Sequence, residues 1–174
     1  HHNLLDESTL YPEECTIENT KEVTALLEAY GVPVYLSGHL HLQRIKKHTS
    51  NLNTPGGYGI REIVTSPLPM APCQYSILNW QADGSLSYHT KKVDIAGWAQ
   101  RYGEEDENLL NFDAYADQFL VDVISEQAFK ALQSASKDIK EEMARLYADM
   151  NRDYCAGTKI DVAKLRKSEA YQYW

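Results

Sequence analysis

The sequence predicts an α/β fold that gives way to a helical extension, on three observations. A short amphipathic helix runs straight into an apolar strand, turn-rich segments then separate runs of period-two alternation, and beyond Ala96 the apolar period lengthens to about 3.6. That change of period places residues 1–93 in a β/α domain with antiparallel strands and residues 94–174 in the extension.

The elements follow in order. Residues 3–16, with Pro12, Asp6, Glu7 and Glu14, read as a loop rimming a pocket. Asn19 and Glu22 have the spacing of a capping box, Val23, Leu26, Leu27 and Tyr30 fall at helical spacing, and Gly31 closes the helix. Val32 to Ser37 is a buried strand, and open α/β sheets place their chemistry beyond the carboxyl ends of such strands. Gln43 to Lys47 forms a short strand. Thr49 to Gly59, rich in Asn, Pro and Gly, is a turn-rich connection placed either to join a hairpin or to close over a substrate. Ile60 to Thr65 and Gln74 to Gln81 are strands kept apart by Pro67, Pro69 and Pro72. Asp83-Gly84 then turns the chain into a last strand, Ser85 to Val93.

In the extension, Phe112, Tyr115, Phe119, Leu120, Val123 and Ile124 form one apolar stripe, and Ile139, Met143, Leu146, Tyr147 and Met150 form another. Such stripes are core-facing surfaces of helices, and the dispersed Asp and Glu between them read as solvated faces. The chain ends on Tyr171, Tyr173 and Trp174, an aromatic terminus that predicts a truncated or partner-packed end.

Composition narrows the function. The net charge of −8 is uneven, with 7 Lys and Arg against 9 Asp and Glu in residues 1–93 and 10 against 16 in residues 94–174. With no basic run, the chain lacks the cationic surface that a sequence-independent grip on nucleic acid requires. Cys15, Cys73 and Cys155 are odd in number and widely spaced, which predicts neither a disulfide framework nor a zinc knuckle. No apolar run is long enough to span a bilayer.

The candidate chemistry sits directly after the first strand, at Gly38-His39-Leu40-His41. Residues two apart project to one side of an extended or tightly turned segment, so both imidazoles can face one pocket while Leu40 and Leu42 face away. Gly38, without a Cβ, suits a sharp turn at positive φ. The opening pair His1-His2 offers a further imidazole, and neutral imidazole is a common donor to zinc, iron and manganese. His48 and His89, in polar surroundings, carry no assigned role. Three other readings stand beside this one. The leading pair is the remnant of an affinity tag; the chain is an interaction module whose acidic helices dock on another protein; or three imidazoles make a mononuclear zinc hydrolase.

On His1-His2-Asn3-Leu4, on the strand entering Gly38-His39-Leu40-His41 and on the strand pair that follows, residues 1–93 resemble the C-terminal half of a calcineurin-like metallophosphoesterase. The resemblance implies an αββα sandwich, with the antiparallel strands in its second sheet. It implies hydrolysis of phosphate mono- or diesters at a dinuclear centre of manganese, iron or zinc, with His1 and His39 on one ion and His41 on the other. Asn3-Leu4 stands where the family often has proline, so the choice between His1 and His2 as ligand stays open. His2 would otherwise touch the phosphate or orient a ligand. The family's Asp-x-His, Gly-Asp-x-x-Asp and Gly-Asn-His-Asp/Glu motifs do not occur in the sequence. The resemblance therefore implies a fragment whose partner is the missing N-terminal half, with weak single-site metal binding and negligible turnover on its own. It leaves localisation open, since relatives of this type include exported and surface-anchored proteins.

Overall fold

Helix α1 runs from Thr20 to Ala29 in a computed structural model that describes residues 1–5, 15–49, 59–132 and 134–173. Asn19 occupies its N-cap, yet the Asn19 side chain makes no capping bond. Thr20 Oγ1 instead donates to the Leu4 carbonyl and ties the helix start to the opening segment of the chain. Val23 and Leu27 pack against Leu4, Leu5 and Ile60, together with Ile17 and Tyr35. Leu26 and Tyr30, which the spacing put on the same stripe, are exposed. Gly31 ends the helix at φ 68°, a conformation that glycine adopts without a steric penalty.

Among the described residues of this first unit, His1–Pro67, three strands follow: β1 (Val34–Ser37), β2 (Arg44–His48) and β3 (Ile60–Val64). Their spatial order is β1-β3-β2, with β1 parallel and β2 antiparallel to β3. The central strand β3 holds the core residues Ile60, Ile63 and Val64. Strand β1, by contrast, lies at the edge of this sheet and leaves Leu36 exposed, so it is not the fully buried strand its apolar run predicts.

The second unit, Leu68–Trp174, begins with a hairpin of β4 (Gln74–Trp80) and β5 (Leu86–Lys92), paired from Gln74 opposite Lys92 to Trp80 opposite Leu86. Asp83-Gly84 makes its turn, with Gly84 at φ 82° and the Ser85 N–H donating to Asp83 at 2.8 Å. Six helices complete the unit among the described residues: α2 (Ile95–Tyr102), α3 (Glu107–Leu110), α4 (Phe112–Ala131), α5 (Lys137–Ala156), α6 (Val162–Leu165) and α7 (Glu169–Gln172). Asp94 caps α2 by accepting from the Gly97 N–H at 2.9 Å.

The two long helices α4 and α5 pack together, α5 burying Met143, Ala144, Ala148 and Cys155. On α4 the buried residues are Ala116 and Leu120, which join Ala71 and Cys73 in a core flanked by Met70, Phe112 and Ile124. Tyr115 and Phe119 of the predicted stripe stay exposed on the same helix. Gln74 Nε2 donates to the Cys155 carbonyl at 3.0 Å and joins the hairpin to the end of α5.

The architecture is thus mixed α/β, with two small sheets and several helices. The αββα sandwich implied by the resemblance goes beyond these two sheets. The residue 6–14 part of the first expected loop, residues 50–58 of the turn-rich connection, and Trp174 lie outside the described residues. Among the described residues no helix is long and apolar enough to cross a membrane.

Burial sorts the three thiols. Cys73 and Cys155 are buried, and burial pushes both thiols up; at Cys73, Asp113 adds to the rise and Lys92 opposes it. Cys15 is half-buried. Because the thiolate is the reactive form, iodoacetamide at mildly alkaline pH is expected to modify Cys15 first, with Cys73 and Cys155 reacting only on unfolding. Peptide mass spectrometry checks the order; rapid native labelling of Cys73 or Cys155 would contradict it.

Candidate functional site

Four donors converge on one buried carboxylate beneath the histidines. Glu62 sits mid-way along the central strand β3 and is 0% exposed. Its Oε1 accepts from the Leu4 N–H at 2.8 Å, from Ser37 Oγ at 2.6 Å and from Asn3 Nδ2 at 3.1 Å, while Oε2 accepts from the Leu5 N–H at 2.7 Å. A buried carboxylate is tolerated only when its lone pairs meet donors, and two of these donors are backbone groups with no strand of their own to pair with.

The opening segment is fixed by the rest of its backbone as well. The His1 carbonyl accepts from the Gly38 N–H at 3.0 Å, and the His2 carbonyl from the Tyr35 hydroxyl at 3.2 Å. Asn3 bridges in parallel to Thr16, through bonds of 3.0 Å to the Cys15 carbonyl and from the Ile17 N–H. Burial, with the Glu62 charge as the smaller cause, pushes the Tyr35 phenol up, which keeps its proton in place for the His2 carbonyl.

This segment lies against the end of β1 and brings three imidazoles together. His39 Nδ1 is 3.1 Å from His1 Nε2, and the two ring centroids stand 5.0 Å apart, edge to face. The His2 ring lies 4.5 Å from His39 and 5.6 Å from His1. His41 stands two residues beyond, exposed. The predicted left-handed turn falls on the histidines and not on Gly38: His39 has φ 56° and His41 has φ 55°. Non-glycine residues in this region are uncommon, and such strain concentrates at functional sites. Gly38 has space for a side chain, because an added Cβ would meet the His1 ring at 3.7 Å, an ordinary contact.

The separation of His1 Nε2 from His39 Nδ1 bears on metal binding. Two imidazole nitrogens about 2.0–2.1 Å from one tetrahedral ion lie roughly 3.4 Å apart, so 3.1 Å fits a shared cation and equally an N–H···N hydrogen bond. The pair supplies two donors. Among the described residues no group of three or more His, Cys, Asp or Glu side chains is set to hold a metal ion.

Sequence reasoning missed Glu62, Ser37 and Asn3, the polar residues that position this cluster. The signal was present at Glu62, a charge in register between Ile60 and Val64 on the apolar face of β3. His48 and His89 lie elsewhere. His89 is exposed on β5. His48 Nε2 stands 3.7 Å from Glu28 Oε1 beside a cavity of about 350 Å³ lined by Leu4, Leu5, Thr20 and Thr24.

No curated protein matches the chain. A family model does, over residues 94–174, and it describes the C-terminal domain of cyclic nucleotide phosphodiesterase. The matched range starts at Asp94, the cap of α2, and covers the helices read above as core-facing stripes without chemistry. It corrects the resemblance drawn from His1-His2 and Gly38-His39-Leu40-His41, which rested on a few residues around the end of one strand. Over residues 94–174 the chain is similar to the C-terminal domain of cyclic nucleotide phosphodiesterase, and the assignment to the calcineurin-like metallophosphoesterases is withdrawn.

Proposed function

We propose that this chain is part of a phosphoester hydrolase acting on phosphodiesters, with cyclic nucleotides as the substrate class, and that its imidazole cluster faces the scissile phosphate. The observation that carries the reading is the convergence of His1, His2 and His39 at the end of β1. The similarity of residues 94–174 to the C-terminal domain of cyclic nucleotide phosphodiesterase supports it.

In this proposal His1 and His39 hold a divalent cation such as manganese, iron or zinc, and His41 reaches a second. Bound there, such ions supply Lewis acidity toward a phosphoryl oxygen and lower the pKa of water. The chain's own residues do the rest. The strained turn aims His39 and His41, the Tyr35 hydroxyl holds the His2 carbonyl, and the His2 ring, packed on His39, is placed to donate a hydrogen bond to a phosphate oxygen. The remaining donors come from polypeptide beyond these residues, so the chain alone binds metal weakly and turns over negligibly.

Calorimetric titration with Zn²⁺ or Mn²⁺ tests this. Weak binding is expected in the wild type, lost in His1→Ala and His39→Ala and kept in His89→Ala. In the complete enzyme His39→Ala and His41→Ala should each abolish hydrolysis of a nitrophenyl phosphodiester. Absence of metal binding, or loss that ignores these substitutions, would favour the protein-interaction reading, which the acidic balance of residues 94–174 also suits.

A further inference from the structure

We infer that Glu62 is a positioning residue for the imidazole cluster, a buried acceptor shared by both histidine-bearing segments, which the Gly38 N–H to His1 carbonyl and Tyr35 hydroxyl to His2 carbonyl bonds also join. This deepens the proposed function and takes from it the role of the cluster. The carboxylate accepts from the segment that begins with His1 and His2, through the Asn3 amide and the Leu4 and Leu5 N–H groups. It also accepts from Ser37, the last residue of β1, two positions before His39. Asn3 Nδ2 closes the triangle by donating to Ser37 Oγ at 3.1 Å. These bonds cross 25 to 59 positions of chain and meet on a strand paired on both sides.

The chemistry of the anchor is specific. Every group facing it is a donor, so an acceptor-only side chain is required. Glutamine at this position keeps the shape but turns an N–H₂ toward a donor, which pushes one of the two segments away. The 3.1 Å contact between His1 and His39 then opens. Groups bonded directly to a ligating imidazole are commonly worth about 10–100-fold in metal affinity, and Glu62, which reaches the imidazoles through the backbone and Ser37, is set at the lower end of that range.

The test compares wild type with Glu62→Gln, using Glu28→Gln as a control in the same unit. NMR reads the cluster without metal, and Co²⁺ titration reads its affinity. The wild type is expected to show inter-ring NOEs from His39 to His1 and to His2. In Glu62→Gln these should disappear while the cross-strand NOEs of β1, β2 and β3 persist, and Co²⁺ affinity should fall about tenfold. Unchanged ring NOEs in Glu62→Gln would overturn the inference. If that variant loses its sheet, Ser37→Ala and Asn3→Ala decide, each removing one donor: weakened ring NOEs support the role and unchanged ones refute it. A wild type that binds no Co²⁺ but loses its ring NOEs in Glu62→Gln would sink the metal reading and leave the positioning role standing.

Discussion

Replacing Glu62 with alanine is expected to destabilise the unit His1–Pro67 by about 3–5 kcal/mol, because several buried donors lose their acceptor at once. The substitution strips the acceptor from the Leu4 and Leu5 N–H groups, the Ser37 hydroxyl and the Asn3 amide at a position with no solvent. Each orphaned donor costs roughly 1–3 kcal/mol. The total stays below their sum because removing the carboxylate also removes its own desolvation penalty. Trp80, Trp98 and Trp174 all fall in the other unit, so tryptophan fluorescence is the wrong probe. Amide hydrogen exchange of peptides spanning β1 to β3 is the right one. Protection of β3 equal to wild type would show that the donors find other partners and that Glu62 is dispensable.

Leu120→Ala should destabilise the second unit by about 3 kcal/mol, within the usual span for a buried leucine. Its buried neighbours Ala71, Cys73 and Ala116 are too small to swing into the space it leaves. Phe119→Ala, one residue away, should cost under about 1 kcal/mol, because Phe119 is 56% exposed. Urea unfolding followed by helical circular dichroism measures both, since α2 to α7 all belong to this unit. Equal losses for the two variants would mean that the core lies on the stripe as read from spacing and not on the side that the structure buries.

That contrast shows what was legible. Helices and strands appear close to where periodicity and turn residues put them: Asp83-Gly84 closes the hairpin, Gly31 ends α1, and both long helices are present. These features are set by neighbours along the chain. Which side of a helix is buried depends on what packs against it, so spacing grouped Leu26 with Leu27 and Phe119 with Leu120, although only the second of each pair packs inward. The insertion of β3 between β1 and β2 was hidden for the same reason, since proximity in sequence suggests that β1 and β2 pair directly.

At the site, the histidines were legible as residue types, and the approach of the opening pair to His39 was expected from the resemblance alone; the groups that bring them together were not legible. Three of the four came together because the opening segment docks on β3, and the docking is written in Glu62, Ser37 and Asn3, polar residues 25 to 59 positions apart. No local pattern links them. The left-handed turn was predicted at glycine, the residue that adopts it without penalty; the structure places it on His39 and His41, which bear the cost. The calcineurin-like resemblance failed differently, because it weighed a short motif in the first unit while the matched pattern lies wholly in residues 94–174.

Two histidines in left-handed backbone make a prediction about drift under laboratory evolution. Glycine and asparagine relieve roughly 1–2 kcal/mol at such positions, so a library of this chain selected only for heat resistance should replace His39 and His41 early and repeatedly. A parallel library carried in the complete enzyme and selected for turnover should hold both imidazoles and gather its stabilising changes elsewhere. The difference between the two outcomes would weigh, position by position, how much robustness this turn gives up for its chemistry.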